Sequence, residues 1–524
     1  MRRISFAVGL ILLTGMWIQS HASSRPLWGN LEPGSSAVGF RLIEEKDHSR
    51  SYPAERHEPG RLVRPGPRTV RIYLWYPARR GDGKPLPFGF FARMAAEDIG
   101  PPVNGKAPEM KSPPLPLQLV RSMPKEKLER LMTLKTASIL NAKPGEGTYP
   151  AIVLGQGLYY ESPLTHLVLC EYLASNGYVV MSCPLKGTQY RLVNLNVRDL
   201  ETQIRDMEFA LARGRQEPFV DPDLLGVIGY DMGGMAGVTL AMRNRAVDAF
   251  VSLDAGILFG HRSQLPNIHP SYDERMFPIP WLHITQDRFG PGSRRQSEDS
   301  SLMDRKPYGD SYLLLIDTAN HGAFTSYAMY GIENPVTAYW RTVPGNPGLL
   351  YETACRYCLH FFNGYLRADP KALAFLAQDP EKSGSSGSVT AFERKKGKAL
   401  PADPDQLIHL IIDQGTAKAI PAIERARKAA PEGVLIDESV LNWLGYHFLY
   451  WWGRPQEALD VFRLNVDLFP QSANAFDSLG EAYAVNENPT AAIEQYQKSL
   501  QLNPDNQNAK AWLERLSKNR NATE

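Results

Sequence analysis

The chain has 524 residues, enough for two to four domains. It is 43% hydrophobic and 22% charged, the composition of an ordinary folded protein. The formal net charge is +2, and Arg2 and Arg3 supply it, so neither nucleic acid nor an anionic membrane surface is indicated as a partner.

The N-terminus predicts an export signal. Arg2-Arg3 is a basic start, and Phe6 to Trp17 is a mostly apolar core too short for a membrane span. Ser20-His21-Ala22 offers small residues for cleavage. Residues 1–22 are therefore expected to be a leader, and the body to be periplasmic or secreted, with no transmembrane body. An uncleaved N-terminal anchor is the alternative.

Val38 to Leu42 and Arg68 to Pro77 read as strands, the second with half-buried alternation. Arg79 to Pro116 is rich in Pro and Gly and is expected to be irregular. Ser122 to Ala142 reads as helix. Strand and helix then alternate. Tyr149–Leu154, Tyr178–Cys183, Leu224–Ile228, Ala249–Leu253, Ile279–Thr285 and Ser311–Asp317 are apolar strands. Leu164–Asn176, Asn196–Gln216 and Met235–Met242 are helices between them, and Tyr351–Tyr365 is helical further on. This pattern predicts an α/β fold on a mostly parallel sheet covered on both faces.

Composition changes near Gln378. Residues 378–403, with Ser383-Gly384-Ser385-Ser386-Gly387-Ser388, read as a flexible linker after a domain at 23–377. Residues 404–524 are helical and repetitive. Ala458, Phe462 and Pro470 recur 34 residues later as Ala492, Tyr496 and Pro504. With Gly480 and Tyr483, these spacings resemble tetratricopeptide repeats. The resemblance implies stacked helix pairs that bind a protein or peptide partner, or else pack against the first domain.

The four cysteines are Cys170, Cys183, Cys355 and Cys358. Cys355 to Cys358 is a C-x-x-C in a helical stretch rather than a thioredoxin-like context, and the spacings make no zinc signature. No phosphate loop or dinucleotide fingerprint is present, so neither cofactor nor metal is expected.

The chemistry centres on Gly229-Tyr230-Asp231-Met232-Gly233-Gly234. An apolar strand precedes it and a helix follows, the context of a nucleophile elbow. Asp231 holds the projecting position. The Met232 amide, at the helix start, and the Leu158 amide, in the loop Gly155-Gln156-Gly157-Leu158 after a strand, are the candidate oxyanion donors. His321, in a loop after the last apolar strand, is the candidate base. His166, His261, His269 and His283 are less well placed. Asp254 and Asp287, each ending a strand, are the candidate acids.

Residues of about 60 to 370 resemble the platelet-activating factor acetylhydrolase branch of the α/β-hydrolase superfamily, close to dienelactone hydrolases. Leu253-Asp254-Ala255 resembles its acid motif, Pro278 to Leu282 its following strand, and Ala174 to Val180 another shared stretch. The resemblance implies a catalytic acid at Asp254, favoured over Asp287, and a base at His321. Two positions depart from it. Asp231 stands for the usual Ser, and Gln156-Gly157 for the usual His-Gly.

The elbow also resembles that of epoxide hydrolases and haloalkane dehalogenases. A carboxylate nucleophile suits an alkyl carbon, since attack on an ester carbonyl would give a more reactive anhydride. The interval from Asp254 to Phe277 is too short for the large helical cap of those families. Three readings stay open: a small-molecule hydrolase with Asp231 as nucleophile, direct activation of water by His321, and a catalytically degenerate binding protein acting through the repeats.

Overall fold

The computed structural model describes residues 27–52, 66–81, 83–99, 123–158, 162–188, 193–257, 265–274, 277–286, 302–306, 308–316, 319–330, 346–382, 389–398, 404–429 and 436–523. The expected leader, Asp287 and the Ser/Gly run of the linker lie outside them. The chain divides into two units, residues 1–398 and 399–524.

β1 (Ala37–Tyr52) and β2 (Gly66–Ala78) form a long antiparallel pair in which Phe40 opposes Trp75. α1 (Phe88–Ile99) lies in the stretch expected to be irregular. Phe88, Phe91 and Ala95 share a helical face and are buried, with Phe91 packed on Phe40 and Trp75. That burial outweighs the flanking Pro and Gly. α2 (Lys125–Thr133) is the helical part of the next stretch. The remainder extends into β3 (Ser138–Leu140), whose Ser138 amide and hydroxyl both donate to the buried Glu171 carboxylate, at 2.8 and 2.6 Å.

The alternating units follow. They are β4 (Tyr149–Gly155), α3 (Leu167–Ser175), β5 (Val179–Ser182), α4 (Val197–Gly214), β6 (Val220–Tyr230), α5 (Met232–Arg243), β7 (Ala249–Leu253), β8 (Trp281–Gln286) and β9 (Ser311–Ile316). α6 (Pro347–Leu366), α7 (Pro370–Ala377) and β10 (Val389–Lys395) complete the unit.

The ten strands form one sheet in the order β10-β9-β8-β7-β6-β4-β5-β2-β1-β3. β4 to β9 run parallel, β2 and β10 pair antiparallel at their flanks, and β3 pairs parallel with β1. α3 and α6 cover one face over Ile152, Leu154, Ile228 and Tyr230. α4 and α5 cover the other over Val153, Val227 and Phe250. Strand residues thus alternate between two cores, which explains the continuous apolar runs. β2 keeps its expected alternation only at its start. From Tyr73 to Ala78 every residue is buried, because both faces carry a core there, Tyr73 and Trp75 on one side and Leu74, Tyr76 and Ala78 on the other. Parallel strands with helices on both faces, in this order, make the first unit an α/β-hydrolase fold.

β10 corrects the expected linker. Residues 389–395, within that stretch, pair antiparallel with β9 from Val389–Ile316 to Lys395–Ser311, with a register shift between Val389 and Ala391. Phe392 packs on Tyr312 and Tyr357, with ring centroids 5.8 and 5.2 Å apart, and charge adds to that packing. Lys395 Nζ donates to the carbonyls of Met303, Asp304 and Lys306, and Lys396 pairs with Asp310 at 2.8 Å.

The second unit is all-α. Its helices are α8 (Pro404–Gln414), α9 (Thr416–Ala429), α10 (Glu438–Tyr446), α11 (Pro455–Leu468), α12 (Ala473–Val485), α13 (Pro489–Leu502) and α14 (Gln507–Thr523). Gly445 lies against the Phe462 ring, and Gly480 against the Tyr496 ring, one repeat later. A Cβ on either glycine would come within 2.6 and 2.9 Å of those rings. Ala458 and Ala492 are fully buried at the matching places. No helix among the described residues is long and apolar enough to cross a membrane.

Candidate active site

Asp231 sits between β6 and α5 with φ 50° and ψ −115°, a conformation that costs a non-glycine residue about 1–3 kcal/mol. The turn is tight because backbones meet. A Cβ on Gly233 would lie 2.1 Å from the Gly155 carbonyl oxygen. The strain projects the Asp231 side chain at the carboxyl end of the sheet, where it is 5% exposed.

Its two oxygens have different surroundings. Oδ2 accepts from the Leu158 amide at 3.0 Å. Oδ1 lies 3.8 Å from His321 Nε2. Met232, the other candidate donor, is buried as the first residue of α5. The loop carrying Leu158 is tied from below. Gln203 on α4 donates to the Gln156 carbonyl at 2.7 Å, and the Gln156 side chain donates to Ser182 Oγ at 2.7 Å. Gln156, one of the two departures from the resembled pattern, thus links β4 to β5. Gly157 is held to glycine by the Tyr230 ring, 2.6 Å from its would-be Cβ.

His321 opens a short 3₁₀ turn (His321–Phe324), capped by Asn320, whose side chain accepts from the Ala323 amide at 3.1 Å. Its Nδ1 is 2.6 Å from Asp254 Oδ2. A carboxylate only accepts, so Nδ1 carries the proton and Nε2, facing Asp231, is the basic nitrogen of the neutral ring. Asp254 is 3% exposed and has φ 41°. It also accepts from Thr285 Oγ1 at 2.6 Å, Gln286 Nε2 at 2.7 Å and the Gln286 amide at 3.4 Å. These donors aim the carboxylate at His321.

The structure therefore brings Asp231, His321, Asp254 and the Leu158 amide together, drawn from the ends of β6, β9, β7 and β4. Asp287 is outside the described residues, as is His261. His269 pairs with Glu201 at 3.1 Å, and His283 with Ser252 at 2.6 Å, both away from Asp231.

Four residues at the site were not singled out by sequence: Tyr230, Gln203, Thr285 and Gln286. Tyr230 alone had a positional signal, as the neighbour of Asp231. His166 is also close. It is fully buried against the Tyr230 ring, and its pKa is lowered from 6.5 to about 3, first by burial and then by the His321 charge, so its ring is neutral. All four cysteine thiols are buried without disulfides and are pushed well above their usual pKa by burial. Among the described residues, no group of three or more His, Cys, Asp or Glu could hold a metal.

No family model matches the chain, and no curated protein matches it. Among solved structures it is similar to a ferulic acid esterase from Streptomyces cinnamoneus, at 20% identity and a TM-score of 0.46, over 70% of this chain and 98% of that one.

Proposed function

We propose that the first unit is a hydrolase in which Asp231 attacks an alkyl carbon of a small epoxide or alkyl halide. The unequal setting of its two oxygens carries this reading. In the attack, Oδ1 forms a bond to carbon while the carbon–halogen or carbon–oxygen bond breaks, its electron pair leaving with that group. The product is an ester on Asp231 whose carbonyl oxygen, Oδ2, already lies on the Leu158 amide. His321 Nε2 then takes a proton from water, and the hydroxide adds to Asp231 Cγ. Negative charge builds on Oδ2, where the amide stabilises it. Collapse expels the alkoxide, which takes the proton from His321, and the Asp231 carboxyl gives its own proton to solvent; an epoxide oxygen, which stays on the substrate, takes its proton from water when the ring opens. Asp254 orients the imidazole and stabilises its charged form.

The test is a mass measurement. His321→Ala, incubated with a panel of epoxides and haloalkanes, is expected to accumulate one adduct on the Asp231 peptide. Wild-type protein turning over in ¹⁸O-water is expected to label the Asp231 carboxylate first. No adduct with any panel member, and no turnover, would remove the reading.

A second reading is favoured by the helical unit, where Trp443 and Trp451 are 54% and 79% exposed. In it, the tetratricopeptide-like helices hold a protein or peptide partner, and the hydrolase unit serves as a scaffold. Capture of a defined partner, lost on deleting residues 404–524 and unaffected by Asp231→Asn, is the result that would favour it. The basic-apolar start of the sequence supports a periplasmic or secreted reading; fractionation with N-terminal sequencing tests that, and a cytoplasmic protein beginning at Met1 would refute it.

A further inference from the structure

Tyr230 is fully buried, yet it makes three contacts around the base. Its ring stacks on the His321 imidazole, with centroids 4.6 Å apart and planes 20° apart. Its hydroxyl donates to the His321 carbonyl oxygen at 3.0 Å. The edge-to-face contact with His166 has centroids 5.0 Å apart and planes at 68°. Neither His166 ring nitrogen has a hydrogen-bond partner among the described residues, so His166 acts on Tyr230 by packing.

We infer that Tyr230 is a positioning residue that sets the plane and height of the His321 imidazole relative to Asp231. The hydrogen bond that His321 Nδ1 donates to Asp254 fixes one ring nitrogen but does not by itself set the rotation of the ring about that axis. Stacking on a flat, buried neighbour removes the rotation. The hydroxyl fixes the main chain of the same residue. Tyr230 is also covalently next to Asp231, and β6 pairs with β7 at Tyr230–Leu253, directly before Asp254. Nucleophile, base and acid are thereby referenced to one strand end. Ordinary core packing would account for burial of the ring. It would not require the hydroxyl to meet the carbonyl of the base, or the two rings to lie nearly parallel.

The purpose assigned to this clamp rests on the proposed chemistry, but its existence is measurable without a substrate. The experiment is NMR of full-length protein labelled with ¹⁵N-histidine, the His321 signals being assigned with His321→Ala. In wild type, the His321 Nδ1 proton is expected far downfield and protected, with the ring carbon-bound protons shifted upfield by the Tyr230 ring. Tyr230→Phe keeps the stacking and loses the hydroxyl. It is expected to keep the ring shift and to speed exchange of the Nδ1 proton by about 2- to 10-fold, the effect of one lost hydrogen bond. Tyr230→Leu is expected to lose the ring shift and broaden the Nδ1 signal away. Thermal unfolding of each variant is recorded, so that a local change is separated from a global one.

Wild-type shifts and wild-type exchange in Tyr230→Phe, with the ring shift retained in Tyr230→Leu, would overturn the inference. Should Tyr230→Leu not fold, Tyr230→Phe decides alone. A protein that shows the clamp but forms no Asp231 adduct would count against the proposed reaction and leave the positioning intact.

Discussion

At the scale of single residues, Asp231 decides which reaction the site can run. The Leu158 amide, the His321–Asp254 pair and the strained turn would serve a hydroxyl nucleophile equally well. Asp231→Ser is therefore expected to gain hydrolysis of short nitrophenyl esters, at least about tenfold above wild type, and to lose alkylation by epoxides and halides. Ester assays and intact mass on the same preparation check both halves. A variant that folds but hydrolyses nothing would show that the surrounding groups are not set for catalysis. His166 gives a second expectation. Its pKa falls from 6.5 unfolded to about 3 folded, so its neutral form favours folding above the unfolded value. As pH drops from 6.5 towards 3, the unfolded chain binds a proton that the folded one refuses. The stability loss approaches about 1.4 kcal/mol per pH unit below 6. His166→Phe is expected to flatten that part of the curve relative to wild type, as read by urea unfolding between pH 4 and 8. Parallel curves would show that His166 is charged or exposed.

At the scale of elements, the parallel strands were legible because each is a short apolar run between turn signals. Glycines on either side of Asp231 made the elbow legible too, and chain order pointed to His321 and Asp254. Other elements gave no local sign. α1 hides behind proline and glycine, and its contacts lie far off in sequence, with Phe40, Trp75 and Tyr330. β10 hides in a polar stretch, and its Phe392 meets the core aromatics Tyr312 and Tyr357 only once the strand has paired with β9. Tyr230, Thr285 and Gln286 are ordinary residues until the sheet brings their neighbours close. β10 also protects the β9 edge, which would otherwise offer unpaired backbone to another chain. A chain ending at Ala377 is expected to aggregate and to melt at least about 5 °C below one ending at Lys398. Light scattering and thermal unfolding of the two would decide it, and equal behaviour would mean that β10 adds nothing.

At the scale of the whole molecule, the two units have separate cores. The second was legible as a repeat, since Ala458, Phe462 and Pro470 recur 34 residues later as Ala492, Tyr496 and Pro504. Its packing rule is visible in the pairs Gly445–Phe462 and Gly480–Tyr496. Gly480→Val is expected to destabilise the second unit by about 1–3 kcal/mol through overpacking against Tyr496. Calorimetry should show one transition lowered and the transition of residues 1–398 unmoved. A shift of both would mean that the units unfold as one.

The position of Asp254 has a consequence for how this architecture can change. The acid stands at the end of β7, beside β6, so its distance from Asp231 follows from the pairing of Gly229 with Ser252 and Tyr230 with Leu253. No loop length enters that distance. Strand pairing, together with Thr285 and Gln286, thus sets the place of the acid, and a change in the register of β6 on β7 would shift acid and nucleophile against each other at once.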